Sequence, residues 1–208
     1  MHQKRIQMKK EFILLLIAFT LLNCETKSKT IELDSKEINA IVEAVIIQDS
    51  LNVLKDKKGS KMFCTELEAV RIEIPVKLKN GLTPPPFPGN QFISNILKTK
   101  INDEVFFSKK DSANIMSQSS TLEKFEIGNA ISSKVNATTI EKEFKKKENG
   151  KDYNFYQMKI PIFSLDKQKA YVELNRYCGH LCGSGKAIYL KKINGKWIII
   201  EKWRTWIS

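Results

Sequence analysis

The densest set of chemistry-bearing residues is the run Cys178-Gly179-His180-Leu181-Cys182-Gly183-Ser184-Gly185. Three kinds of chemistry fit it. Two cysteines four apart in a glycine-rich loop can reach the Cα separation of a disulfide. Cys178, His180 and Cys182, with Cys64 as a further thiol, form a sulfur–nitrogen donor set of the kind that suits zinc. A reactive thiol is the third reading. The spacing is one residue longer than Cys-x-x-Cys, however, and the run follows a strand instead of opening a helix, so nothing there lowers a thiol pKa. The disulfide is the leading expectation and zinc through Cys178, His180 and Cys182 the alternative. No cofactor is expected.

Other catalytic chemistry is sparse. The chain has two histidines, His2 and His180, so a Ser-His-Asp or Cys-His mechanism in a processed chain must use His180. There is no Gly-x-Ser-x-Gly elbow, phosphate loop, His-Glu-x-x-His or dinucleotide fingerprint. Carboxylates are scattered, and none stands in an apolar sequence context that would raise its pKa. Cys64, within KMFCTELEAV, reads as a small buried hydrophobe.

Charge points to the class of partner. The 208 residues carry a formal +12. Lys4, Arg5, Lys9 and Lys10 against Glu11 account for +3 of it, so a chain starting at residue 24 carries +9. A basic surface attracts anionic partners such as lipid headgroups or an acidic envelope component. Only Arg5, Arg71, Arg176 and Arg204 are arginines. Base and phosphate readers rely on the planar arginine fork, so no nucleic acid is expected as a partner.

The N-terminus gives the location. Residues 1–11 (MHQKRIQMKKE) are basic, and residues 12–22 (FILLLIAFTLL) are apolar except for Thr20. These are the n-region and h-region of an export signal, too short to span a bilayer stably. Asn23-Cys24 follows, with Leu21 three before the cysteine. This stretch resembles the lipobox of bacterial lipoproteins, although Asn23 stands where a smaller residue is usual. The resemblance implies a diacylglycerol on the Cys24 thiol, cleavage before Cys24 and acylation of the new amine, hence a membrane partner through the lipid. Met8 opens a second complete signal, MKKEFILLLIAFTLLNC. The Cys178–Gly185 run is also similar to one in uncharacterised bacterial lipoproteins, which implies nothing about activity. The expected organisation is a signal peptide at 1–23, lipidated Cys24 and a polar tether at 24–33, and one domain at 34–208.

That domain reads as α+β. Asp34 or Ser35 caps a helix whose Ile38, Ile41, Val45, Ile46 and Leu51 share a face, ending near Lys57-Lys58-Gly59. Residues 71–79 (RIEIPVKLK) alternate as an edge strand with Pro75 in it. TPPPFPG at 83–89 is a stiff connector. Short helices are expected over 91–100 and 109–119, the second opened by Ser108 and Asp111. Strands then follow over 138–147 and 152–163, joined at Asn149-Gly150. Two more run through AYVELNRY and KAIYLKKI, and a last one (KWIIIEKWRTWI) is joined at Asn194-Gly195. The result is an N-terminal helix or helices packed on a C-terminal antiparallel meander of about five strands, with Trp197, Trp203 and Trp206 as its aromatic core. This layout of the last 70 residues resembles cystatin-like and nuclear-transport-factor-2-like folds, which implies a helix cradled by a curved sheet.

Signal, anchor and missing catalytic motifs together imply a non-catalytic, lipid-anchored envelope module of unassigned ligand. The alternative is an envelope enzyme or zinc protein using the Cys178/His180/Cys182 loop. Cys24→Ala should abolish lipidation and leave an uncleaved precursor or a soluble protein. Detergent phase partitioning with intact-mass analysis checks this, and a cleaved mutant that still enters the detergent phase would sink the anchor.

Overall fold

The structure is a computed structural model that describes residues 35–87, 89–179 and 182–208. The signal, Cys24, the tether and His180 lie outside the described residues. The chain divides into residues 1–38 and 39–208. Of the first unit only 35–38 are described, and they open a helix, α1, that runs over residues 35–48.

Within the second unit the fold is α+β. Its main sheet has seven strands: β1 (Met62–Cys64), β8 (Ala137–Thr138), β9 (Asn154–Met158), β10 (Ile162–Phe163), β11 (Lys169–Cys178), β12 (Ser184–Ile193) and β13 (Lys196–Ile207). Their order is β13-β12-β11-β9-β1-β8, with β10 also paired to β11. The meander through β9, β11, β12 and β13 is antiparallel, as read from the sequence. The sheet as a whole is mixed, because β1 pairs in parallel with both β9 and β8. Asn194 (φ 49°) and Gly195 (φ 75°) close the last hairpin, since both positions of a type I′ turn need positive φ.

Four sequence expectations are corrected. The segment expected as a strand over 138–147 is mostly helix, α5 (Ile140–Glu148). Thr139 caps it by accepting from the Lys142 N–H at 3.3 Å. Glu141 and Glu143 sit in its first turn and Lys145, Lys146 and Lys147 in its last, the charge order the helix dipole favours. Asn149-Gly150 therefore ends a helix and does not turn a hairpin. Gly150 (φ 66°) donates to Lys147 O at 3.0 Å and Lys151 to Lys146 O at 2.9 Å, the paired bonds of a Schellman terminator.

The first helix also ends early. Ser50 (φ 51°) plays the left-handed role usually given to glycine, donating to Ile47 O at 3.2 Å while Leu51 donates to Ile46 O at 3.0 Å. The adjacent Asp49 carboxylate is almost wholly buried and takes Lys186 at 2.7 Å and Lys202 at 2.5 Å. Gln48 is tied to the last hairpin as well, donating to Trp197 O at 2.8 Å and accepting from the Ile199 N–H at 2.9 Å.

The edge strand expected over 71–79 stops at β3 (Arg71–Glu73), which pairs in parallel with β4 (Asn90–Phe92). Pro75 lacks the N–H to continue it. Between these strands and β7 (Lys124–Glu126), which pairs with β2 (Glu66–Glu68), lie α2 (Ile93–Lys98), the antiparallel pair β5 (Lys100–Ile101) and β6 (Glu104–Val105), and α3 (Ser112–Thr121); α4 (Asn129–Ser132) follows β7. Ser108 and Asp111, expected to open a helix here, do so as a capping box.

Finally, the three tryptophans do not form one core. Trp197 is buried, its ring 5.8 Å from Phe163. Trp203 is 39% exposed and lies on Tyr189, with ring centroids 4.7 Å apart. Trp206 is half-buried against Tyr177 at 5.8 Å. Trp197→Ala should therefore cost about 3–5 kcal/mol, whereas Trp203→Ala should cost about 1 kcal/mol. Urea unfolding of the two variants checks the ranking.

Candidate functional site

The described residues of the cysteine-rich loop are tied into the sheet by a disulfide and by packing. Cys178 ends β11 and is joined to Cys182 by a disulfide, with Cα atoms 5.3 Å apart. The glycines that follow seat a tryptophan. A Cβ on Gly185 would come within 2.0 Å of Trp206 Nε1, and one on Gly183 within 2.8 Å of the same ring. The indole thus lies directly on the backbone, and its N–H donates to Asn175 Oδ1 at 3.0 Å. Gly183 and Ser208 complete the join, the Gly183 N–H donating to Ser208 Oγ and the Ser208 N–H to Gly183 O, both at 3.0 Å. With both sulfurs in the disulfide, neither is a thiolate for zinc. Among the described residues no group of three or more His, Cys, Asp or Glu side chains is placed to hold a metal. Cys64 is fully buried and free, and burial first, then Glu143, Glu68 and Glu66, push its thiol up to about 12. It is inert packing, as its sequence context indicates.

A polar cleft of about 380 Å³ opens elsewhere in the second unit, within the size range of small-molecule sites. Strands β2, β3, β4 and β7, the end of α3 and Lys159 enclose it, and Glu68, Arg71, Asn90, Ser119, Glu123 and Lys124 supply its polar atoms. Its charges are mostly committed. Glu68 Oε2 accepts from Lys159 Nζ at 2.8 Å and from Gln157 Nε2 at 3.0 Å. Burial alone would raise the Glu68 pKa, but these two partners overcome it and hold the carboxyl below its ordinary range. Lys124 pairs with Glu66 at 2.8 Å at the exposed rim, and that partner raises its pKa. Asn90 donates to Glu73 Oε1. Arg71 and Glu123 line the same cleft and are exposed, with no side-chain partner among the described residues. One free cation and one free anion thus face a single opening.

Behind the cleft lies a carboxyl that the sequence reading missed. Glu173 is buried in the middle of β11. Tyr171 donates to its Oε1 at 2.8 Å, and the Gln91 side chain also bonds it. Burial raises its pKa, opposed by Tyr171, Lys159 and Gln91. Burial and the neighbouring Glu173 likewise push Tyr171 well above its ordinary value. The expectation that no carboxylate stands in a pKa-raising context is therefore overturned. The signal was the face of β11 opposite Val172: Tyr171, Glu173 and Asn175 read as a wet face by alternation, yet Ile93, Ile96, Phe106, Phe107 and Ile115 build an apolar cluster over it that includes Tyr171.

Glu68 and Glu173 lie on either side of Lys159. Glu68 bridges to that residue, whose N–H donates to Glu173 O at 2.8 Å. Two carboxyls with pKa values pushed apart are the pairing that acid–base chemistry uses. Glu173, however, is turned to Tyr171 and Gln91 and does not line the cleft. Glu173 is thus buried away from the opening, and Glu68 is the carboxyl of the two that lines it. No family model, curated protein or solved structure matches the chain.

The two carboxyls should leave opposite marks on stability. The Glu173 pKa is raised on folding, so its contribution is full below the unfolded carboxyl value of about 4.3 and is lost as pH rises through the folded value. Glu68 is lowered, so its contribution is present above about 4.3 and is lost on acidification through the folded value. Glu173→Gln should flatten the decline on the alkaline side and Glu68→Gln the decline on the acid side. Urea unfolding across the pH range reads both, and an unchanged profile in either variant would contradict the assignment.

Proposed function

We propose that the protein is a lipid-anchored, non-catalytic binding module of the bacterial cell envelope, held to the membrane through Cys24 and taking a small polar ligand in the cleft around Arg71 and Glu123. The single observation that carries the location is the cationic head, 11-residue apolar run and cysteine at residue 24. The Cys178–Cys182 disulfide supports it, since such bonds persist in the oxidising compartments that exported chains reach. The cleft supports binding, because it offers unpaired charges of both signs on a frame of paired ones. In this reading α1 is the helix laid against the meander, with Gln48 and Asp49 as its fastening to β12 and β13.

The alternative enzyme built on Cys178, His180 and Cys182 needs free thiolates, which the disulfide consumes.

Four probes test the cleft in the purified full chain: glutarate, putrescine, glycylglycine and glucose. At least one should shift the backbone amides of Gly89, Asn90 and Ser119 together in NMR spectra. Arg71→Ala or Glu123→Ala should weaken that probe about tenfold or more, the worth of one charge-assisted hydrogen bond. If none of the four moves these amides, the cleft is not a ligand site.

A further inference from the structure

We infer that residues 74–87 form a second membrane contact, an apolar arm that lies against an anionic lipid surface. The arm leaves β3 at Ile74 and returns to β4 past Gly89. Ile74 is 66% exposed, Val76 68%, Leu78 50%, Leu82 65% and Phe87 74%. Five of the thirteen exposed large hydrophobics among the described residues thus fall in one connector. Scattered apolar side chains need no explanation, but a contiguous set marks a contact surface.

The arm is also shaped. Leu78 donates to Leu82 O at 2.8 Å, where the sense is Leu78 N–H to Leu82 carbonyl, and Gly81 (φ 81°) donates to Leu78 O at 2.9 Å, folding a tight turn at the tip. The Leu82 N–H adds a bond to Asn80 Oδ1 at 3.1 Å. Pro75, Pro84, Pro85 and Pro86 fix their φ angles and reduce the entropy lost on docking.

Charge selects lipid as the occupant. The segment carries Lys77 and Lys79 and no acidic residue between Ile74 and Gly89. Neither lysine has an ion-pair partner among the described residues. Apolar side chains interleaved with lysines match the interface of an anionic bilayer, where the side chains enter the acyl boundary and the long lysine stems reach the headgroups. The expected tether of residues 24–33 spans at most about 35 Å when extended, so an anchor at Cys24 keeps the domain within reach of that surface. The arm rests on the anchoring reading only for its nearness to the bilayer.

The test uses the full chain in vesicles, with a polarity-sensitive NBD probe on Leu82→Cys and, as a control at another exposed apolar site, on Ile193→Cys. Competing thiols are removed by acylation at Cys24, burial at Cys64 and the disulfide at 178 and 182. In phosphatidylcholine vesicles containing phosphatidylglycerol the Leu82 probe should shift to the blue and be quenched by brominated lipid, while the Ile193 probe stays in water. Lys77→Glu with Lys79→Glu should lower the inserted population about fivefold or more for each lysine. The inference is overturned if the Leu82 probe stays in water, if both sites are quenched alike, or if the Leu82 probe is shielded without lipid as protein concentration rises, which would assign the arm to a second protein chain. Intact mass reports the anchor separately. An unmodified Cys24 would refute the anchor, and the Leu82 probe is then read in a Cys24→Ser chain, where insertion upholds the arm and a probe left in water overturns it.

Discussion

The fold turns on β11, a ten-residue strand buried on both faces through its middle. It pairs with β12 from Lys169 to Arg176 and with β9 from Leu174 to Cys178. Every residue from Ala170 to Asn175 is buried. A strand so placed carries its polar side chains out of water, and each must be satisfied or cost about 1–3 kcal/mol. Tyr171 and Glu173 satisfy each other, Asn175 is met by the Trp206 indole, and Gln157 on the neighbouring strand is met by Glu68. These bonds reach from β11 to the last strand on one side and, through the neighbouring β9, to β2 on the other. The strand's demand for partners thus organises elements far apart in the chain.

The same demand explains why charge collects at the cleft. Lys159 sits between Glu173 and Glu68, bonding the first through its backbone and the second through its ammonium. A buried carboxyl with hydrogen-bond partners near a half-exposed ion pair fixes the wall of the cleft in one arrangement. Arg71 and Glu123 then stand on a rigid frame with their charges uncommitted, the condition under which a ligand's charges meet preorganised groups. Glu143 is a separate buried carboxyl: Oε1 accepts from Thr138 at 2.7 Å and Lys146 at 2.6 Å, while Oε2 has no partner among the described residues. It fastens α5 to β8, and its position in the first turn also suits the helix dipole.

The glycine-rich run shows how a motif that suggests chemistry can serve packing. Cysteine, histidine and glycine together invite a metal or redox reading. Here the disulfide closes the loop and the glycines clear space for Trp206, whose ring no Cβ at residue 185 would permit. The contrast with residues 74–87 is instructive. That segment reads as the end of an edge strand followed by a stiff connector, yet it holds apolar side chains that the fold leaves in solvent.

Several features were legible in the residues alone. The α+β class, the Asn194-Gly195 hairpin, the β11–β12–β13 order, the Ser108–Asp111 cap and the Cys178–Cys182 bond follow from local rules: backbone angles demanded by a turn, a side chain in reach of its own N–H groups, two thiols in one short loop. Local rules misread residues 140–150, because Asn-Gly serves a hairpin and a helix terminator alike, and the run EKEFKKKE had to be weighed by its charge order. They also could not find Glu173 or the cleft. Alternation tells which residues share a face, but whether that face meets water depends on what covers it. Here the cover comes from residues 93–115, about 60–80 positions earlier, and the partners Gln91 and Glu68 are as distant. Burial, and with it the pKa and the partner of every polar group on β11, was decided only by the tertiary structure.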